Sequence, residues 1–154
     1  MEIKLSRGLV AIVDDEDYER LNQFRWHANK KGYAMRHLKT GKRNTVFMHR
    51  EIIGAYPGIF VDHIDGNIFN NQRNNLRLAT NAQNCCNSGS RRGSSSSFKG
   101  VRLFRDGKWH ARIMANYKEI HLGYFKNEID AAIAYNNAAI IHHGEFAKLN
   151  NITL

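Results

Sequence analysis

The 154 residues contain a single proline, Pro57, and only two cysteines, Cys85 and Cys86. Neighbouring cysteines seldom bridge each other, so a disulfide framework is excluded as the source of stability. No CxxC pair is present, which removes the usual structural zinc site. Long apolar runs are also missing: none approaches the roughly 20 residues a membrane-spanning helix needs. Met1-Glu2-Ile3-Lys4 opens on no signal-peptide core. These absences predict reduced thiols, a cytoplasmic location and no membrane partner. Acids are scarce as well, 14 Asp and Glu against 23 Lys and Arg, for a net charge of +9. From 24 to 50 the chain carries Arg25, Lys30, Lys31, Arg36, Lys39, Lys42, Arg43 and Arg50 without one acid. From 87 to 118 it carries Arg91, Arg92, Lys99, Arg102, Arg105, Lys108, Arg112 and Lys118 against Asp106 alone. Two such stretches predict a polyanionic partner.

The length allows one ordinary domain or two small ones, and a hydrophobic content of 42% supports a modest core. Ile3 to Val13 reads as a short hairpin turning at Ser6-Arg7-Gly8. Asp14-Asp15-Glu16-Asp17 reads as a helix start, because the macrodipole favours acids there, with Tyr18, Leu21 and Phe24 at helical spacing. A metal site is the alternative for that acidic cluster. Arg25–Ala28, Tyr33–Arg36 and Thr45–Phe47 read as strands, with turns at Lys30-Lys31-Gly32 and Thr40-Gly41-Lys42. Met48 to Gly54 reads as a short helix.

Residues 59–87 carry the densest chemistry: Val61-Asp62-His63-Ile64-Asp65-Gly66-Asn67, an asparagine-rich loop, Asn75-Leu76-Arg77-Leu78, then Thr80 with Gln83 three residues on. This predicts strand, loop, strand and capped helix. Hydrolysis of a phosphodiester needs water made nucleophilic, charge stabilised at phosphate and help for the leaving oxygen. His63 suits the first task. Mg²⁺ or Mn²⁺ suits the others and is satisfied by few protein oxygens. Asp62 and Asn84 are the candidate metal ligands, and Asn75 is the candidate holder of the His63 ring. Both Asp62 and His63 can face one site only if the strand end bends.

Ser88 to Ser97 is polar and of low complexity, and reads as a flexible linker. Beyond it, Phe98–Phe104, Lys108–Ala115 and Lys118–Gly123 read as three strands, and Asn127 to His143 as a helix stopped by Gly144. Val101, Leu103, Trp109, Ala111, Ile113, Ile120 and Leu122 share one face, which Ala131, Ala132, Ala138 and Ala139 let the helix approach. Arg102, Phe104, His110, Arg112, Met114, Glu119 and His121 share the other. Phe146 and Leu149 are expected over the helix end. The fold class is α+β: a small β-rich amino-terminal region and nuclease core, a linker, and a three-stranded antiparallel sheet packed on one helix. The domain limits are 1–87, 88–97 and 98–154.

Residues 48–87, through Met48-His49-Arg50, Val61 to Asn67, Asn71, Arg73, Asn75-Leu76-Arg77 and Gln83-Asn84, resemble the HNH endonucleases of phage and intron-encoded homing elements. The resemblance implies a ββα-metal fold, with His63 as general base, Asp62 and Asn84 as metal ligands and Asn75 holding the hairpin and the base. Asn84 stands where many members carry histidine, a variant that fits one Mg²⁺ or Mn²⁺ and argues against a tight zinc site. His49 is expected to be structural or phosphate-contacting. Lys99-Gly100-Val101-Arg102, Gly107 to Ile113, His121 to Phe125 and Ala131 to Ala139 resemble the plant Apetala/ethylene-response-factor DNA-binding domain. That resemblance implies a sheet laid in the major groove, which admits β structure. Lys99, Arg102, Phe104, Arg112, Met114 and His121 are the implied contacts, with Arg36 and Arg50 as further DNA-binding candidates. Glu119, His121 and Phe104 depart from the plant pattern, so the plant target sequence is not carried over.

The combined reading is a metal-dependent endonuclease of double-stranded DNA, of homing type, monomeric or weakly dimeric. As a monomer it nicks. Encoded by a phage, it would act in the bacterial host cytoplasm. A non-catalytic DNA-binding regulator on a degenerate nuclease fold is the alternative. An RNA-binding structural protein is a third reading, weakened by Phe104 being the lone aromatic assigned to the contact face.

Overall fold

The computed structural model describes residues 1–38, 45–90 and 93–153. The expected turn at Thr40-Gly41-Lys42 and the linker arginines Arg91 and Arg92 lie outside them. The chain divides into two compact units, Met1–Asn84 and Cys85–Leu154. The architecture is mixed helix and sheet.

In the first unit, β1 (Glu2–Lys4) and β2 (Val10–Ile12) pair antiparallel around a turn in which Arg7 takes a φ of 64°. Helix α1 (Asp15–Asn22) starts on Asp15, Glu16 and Asp17 and buries Leu21. The acidic cluster serves arginines. Asp17, 1% exposed, accepts from Arg73 Nε at 2.7 Å and Arg20 Nη2 at 2.6 Å. Asp14 accepts from the Gln72 amide and the Arg73 backbone. Among the described residues no group of three or more His, Cys, Asp or Glu could hold a metal ion. Phe24 lies beyond α1, 40% exposed, with the Arg36 guanidinium 3.9 Å from its ring centroid.

Strands β3 (His27–Ala28), β4 (Ala34–His37) and β5 (Thr45–Phe47) form an antiparallel sheet in that order. Trp26 precedes it, buried, its indole N–H on the Leu21 carbonyl at 2.8 Å. Helix α2 (Met48–Ile53) ends at Gly54 in the left-handed region. Strands β6 (Phe60–His63) and β7 (Leu76–Ala79) then pair antiparallel, placing Asp62 opposite Arg77 and His63 opposite Leu76. Helix α3 (Asn81–Cys86) follows a reciprocal cap. The Thr80 backbone N–H gives to Gln83 Oε1 at 2.8 Å, and the Gln83 N–H to Thr80 Oγ1 at 3.2 Å. The long asparagine loop between β6 and β7 is tied to β2. Ile12 N–H bonds the Phe69 carbonyl at 2.8 Å, and Asn71 N–H bonds the Ile12 carbonyl at 2.7 Å.

In the second unit, β8 (Val101–Leu103), β9 (Trp109–Ala115) and β10 (Lys118–Phe125) form an antiparallel sheet ordered β10-β9-β8. Asn116 and Tyr117 take φ of 49° and 62°, the paired left-handed geometry that suits a tight hairpin. Helix α4 (Glu128–His143) is capped by Asn127, whose side chain accepts from Asp130 N–H. Its buried alanines let it lie on Val101, Ala111 and Ile113. Gly100 makes that approach possible: its φ is +76°, and a Cβ there would lie 2.0 Å from the Tyr135 ring. Leu103, at the end of β8, is 49% exposed and Leu149, beyond the last helical turn, 43%, against the expectation that both pack inward. Phe146 is buried. Ser96 of the serine run is buried and gives its hydroxyl to Glu128 at 2.6 Å, and Ser95 Oγ accepts from Leu103 N–H, so this stretch is bonded into the second unit. No helix among the described residues is long and apolar enough to cross a membrane.

Candidate functional site

Asp62 and His63 close β6, and each is 5% exposed. In a flat strand one of two neighbours would face away. Here the chain turns directly after them, with Gly66 N–H on the His63 carbonyl at 2.8 Å, and both are enclosed. The His63 ring lies 5.3 Å from that of His49, edge on, and 6.1 Å from that of Tyr33. His49 in turn packs on Phe47 and Tyr33. Burial, followed by the charges of His63 and Arg50, pushes the His49 pKa down to about 3. Burial lowers that of His63 too, outweighing the opposing pull of Asn71, Asp65 and Asp62. Both rings are therefore neutral at neutral pH.

Asn71, 1% exposed, places Oδ1 3.4 Å from His63 Nε2 and gives its amide N–H to the Phe69 carbonyl at 3.1 Å. With the amide so oriented, the neutral imidazole keeps its proton on Nε2, facing Asn71, and its lone pair on Nδ1. Asn75 sits elsewhere. Its Oδ1 accepts from Asp65 N–H, and its Nδ2 gives to Asp65 Oδ1 and the Asn70 carbonyl. It braces the loop, while the ring contact expected of it falls to Asn71. Nothing in local spacing selects Asn71; its position follows from the β2 tie to Ile12, 59 residues earlier.

The Asp62 carboxylate meets Arg77, whose Nη2 and Nε lie 2.7 Å and 2.9 Å from Oδ2. The antiparallel register that opposes the two residues could have revealed this partner. Asn84 lies in α3, partly exposed, its N–H on the Thr80 carbonyl. A carboxylate and a carboxamide are hard oxygen donors, which suits Mg²⁺ or Mn²⁺ with retained water and is a poor set for zinc.

The other candidates separate into two groups. Arg36 is paired with Glu51 at 3.1 Å and covers Phe24. Arg50 gives to the carbonyls of Tyr56 and Ile59 at 2.7 Å and 2.6 Å, fastening α2 to the loop after it. Lys99 turns its ammonium to the Cys86 carbonyl, and burial lowers its pKa. These three side chains have internal partners. Arg102, Phe104, Arg112, Met114 and His121 share the sheet face away from α4. Phe104 is 38% exposed and Met114 54%. Arg112 is ion-paired to Glu119. His110, on the same face, is only 4% exposed, enclosed by Phe104, His121 and Tyr124. Alternation alone placed it outward.

A family model described as HNH endonuclease matches residues 49–85, the span from α2 into α3 that contains Asp62, His63, Asn71, Asn75 and Asn84. Uncharacterized HNH endonuclease L560 of Acanthamoeba polyphaga mimivirus is 34% identical over 148 residues, covering 95% of this chain and 77% of the relative. The chain belongs to the HNH endonuclease family. The family match runs from α2 through the β6–β7 hairpin into α3. Protein 3.8 of Escherichia phage T7 is 29% identical over 97 residues, covering 62% of this HNH chain and 79% of the phage protein. The carboxy-terminal region is similar to APETALA2-like protein 2 of Oryza sativa subsp. japonica, 45% identical over 58 residues, which is 36% of this chain and 13% of the plant protein. No solved structure matches the chain.

Proposed function

We propose that this chain is a divalent-metal-dependent endonuclease that hydrolyses phosphodiester bonds in duplex DNA, and that it is of homing type. The observation that carries the reading is His63: buried, neutral, beside Asp62, with Asn71 fixing the proton on Nε2. His63 Nδ1 accepts a proton from water as the water oxygen attacks phosphorus. The P–O bond to the leaving oxygen breaks, and solvent returns a proton to that oxygen. The rings of Tyr33 and His49 keep water off the flank of the imidazole and hold its plane. Asp62 and Asn84 are the residues that would hold Mg²⁺ or Mn²⁺. When bound, that ion supplies positive charge at the phosphate and the leaving oxygen. Asn75 holds the loop on which Asn71 stands.

The outward sheet face of the second unit, with Arg102, Phe104, Arg112, Met114 and His121, is assigned to duplex DNA. The basic composition and the plant-domain similarity support that assignment. One base serves one strand, so a single copy nicks, and a double-strand break requires two copies or two events. Relatives in a virus and a phage support a host cytoplasm as the place of action.

The test is nicking of supercoiled plasmid with and without Mg²⁺. Wild type cuts only with the ion. His63→Ala retains duplex binding and loses cleavage by about 10²–10⁴-fold, the usual contribution of a general base. Full cleavage by His63→Ala would remove this residue from the mechanism. The Arg77–Asp62 ion pair favours a second reading, a DNA-binding regulator whose carboxylate is kept by arginine. Absence of nicking at any Mg²⁺ or Mn²⁺ concentration, with binding intact, would select it.

A further inference from the structure

The sheet face of the second unit contains a hydrogen-bonded row of three side chains drawn from its three strands. Arg102 Nε of β8 gives to His110 Nδ1 of β9 at 3.0 Å. His110 Nε2 lies 2.6 Å from His121 Nδ1 of β10. The ring centroids are 4.7 Å apart with planes 26° apart, so the two imidazoles meet edge to edge, nearly coplanar. The backbone arranges this. His110 stands opposite Arg102 and Tyr124, and the register shift between His121 and Gly123 carries His121 beside it.

Proton positions follow from the donor inventory. Arginine is always protonated and has no acceptor, so His110 Nδ1 must offer its lone pair. The His110 proton is then on Nε2 and is given to His121. His121 Nδ1 must likewise be a lone pair, and its proton resides on Nε2. An added proton on either ring would set two N–H groups against each other. Burial of His110, with Arg102, His121 and Arg112 around it, lowers its pKa against the opposing pull of Glu119, which is consistent with a neutral ring. Phe104 and Tyr124 complete the enclosure.

We propose that Arg102 and His110 fix the tautomer of His121, making its Nε2–H an obligate donor that reads a lone-pair acceptor on a base edge of duplex DNA. This rests on the assignment of the sheet face to DNA. In the major groove guanine, adenine N7 and thymine O4 offer acceptors, whereas cytosine offers an amino donor. His121 is the specificity residue and His110 a positioning residue. Freed from His110, His121 could hold its proton on either nitrogen and would tolerate a donor edge as well.

Two measurements on the full chain test this. The first is ¹⁵N imidazole NMR. At pH 7.5 both rings should carry their shared-row proton on Nε2, with Nδ1 unprotonated. A proton on Nδ1 of either ring, or a cationic ring at that pH, overturns the relay. The second is selection from a random-sequence duplex pool by wild type and His110→Phe. Wild type should reject cytosine at one contacted position. The variant should bind the pool within about threefold but lose about tenfold of that discrimination. If wild type does not bind duplexes, the DNA assignment falls and this proposal with it. If wild type selects a site that His110→Phe selects equally well, the relay alone falls.

Discussion

Each unit holds a close pair of histidines, and the two pairs are built differently. His49 and His63 lie within the first unit among Tyr33 and Phe47, and their rings meet edge on at 5.3 Å. His110 and His121 lie on a sheet face, joined nitrogen to nitrogen at 2.6 Å. In the first pair apolar surroundings keep the rings neutral, and an asparagine orients one of them. In the second an arginine orders the protons through a chain. A base that must take up a proton needs an imidazole that burial keeps neutral. A donor that must read a base edge needs one whose proton cannot migrate. Burial serves the first purpose and hydrogen bonding the second.

The largest expected effect breaks the comparison on the side of the second unit. Gly100→Ala puts a methyl group 2.0 Å from the Tyr135 ring at a φ of +76°. It should destabilise the second unit by about 3 kcal/mol, from overpacking and left-handed strain together. Hydrogen exchange should show β9 amides losing protection while those of β6 keep theirs.

Next comes acidity, which strikes the buried pair. Unfolded His49 binds a proton near its ordinary value of 6.5, whereas the folded ring resists until about 3. The unfolded chain thus binds more protons across that window. The stability this group contributes is complete above pH 6.5 and is lost as pH falls toward 3. By pH 5 the loss is about 2 kcal/mol. Thermal melts at pH 7 and 5 should record it, and His49→Phe should flatten the slope.

A smaller effect tests what orients the base. Asn71→Ala should lower cleavage about tenfold, the scale of one lost orienting contact, with duplex affinity unchanged. An equal loss of affinity would show that Asn71 serves folding rather than His63. The smallest effect concerns the outward face. Glu119→Gln releases Arg112 from its ion pair and should raise duplex affinity about threefold, steepening the salt dependence by about one counterion. Titrations at 50 and 200 mM salt read both quantities.

The fold class was legible because alternation, turn residues and caps are local. Asn116-Tyr117, Thr80 with Gln83, and the alanines of α4 each declare an element within a few positions. The residues around the candidate base were less so. Asn71 and Asn75 are the same residue type in one asparagine-rich stretch. What separates them is the bond from Asn71 N–H to the Ile12 carbonyl, a contact across most of the first unit. Basic residues show the same divide. Sequence gives the charge of Arg36, Arg50 and Lys99, but not that Glu51, backbone carbonyls and Cys86 engage them. His110 shows it for burial. Strand alternation is blind to the rings of Phe104 and Tyr124 that close over it.

The attachment of β2 to the asparagine loop has one more consequence. A fragment beginning after Val13 would retain every residue from His49 to Asn84, yet the shelf on which Asn71 rests would be gone. Such a fragment would carry a complete motif with an unsteady imidazole. Grafting the motif onto another scaffold would therefore require transplanting the amino-terminal hairpin along with it.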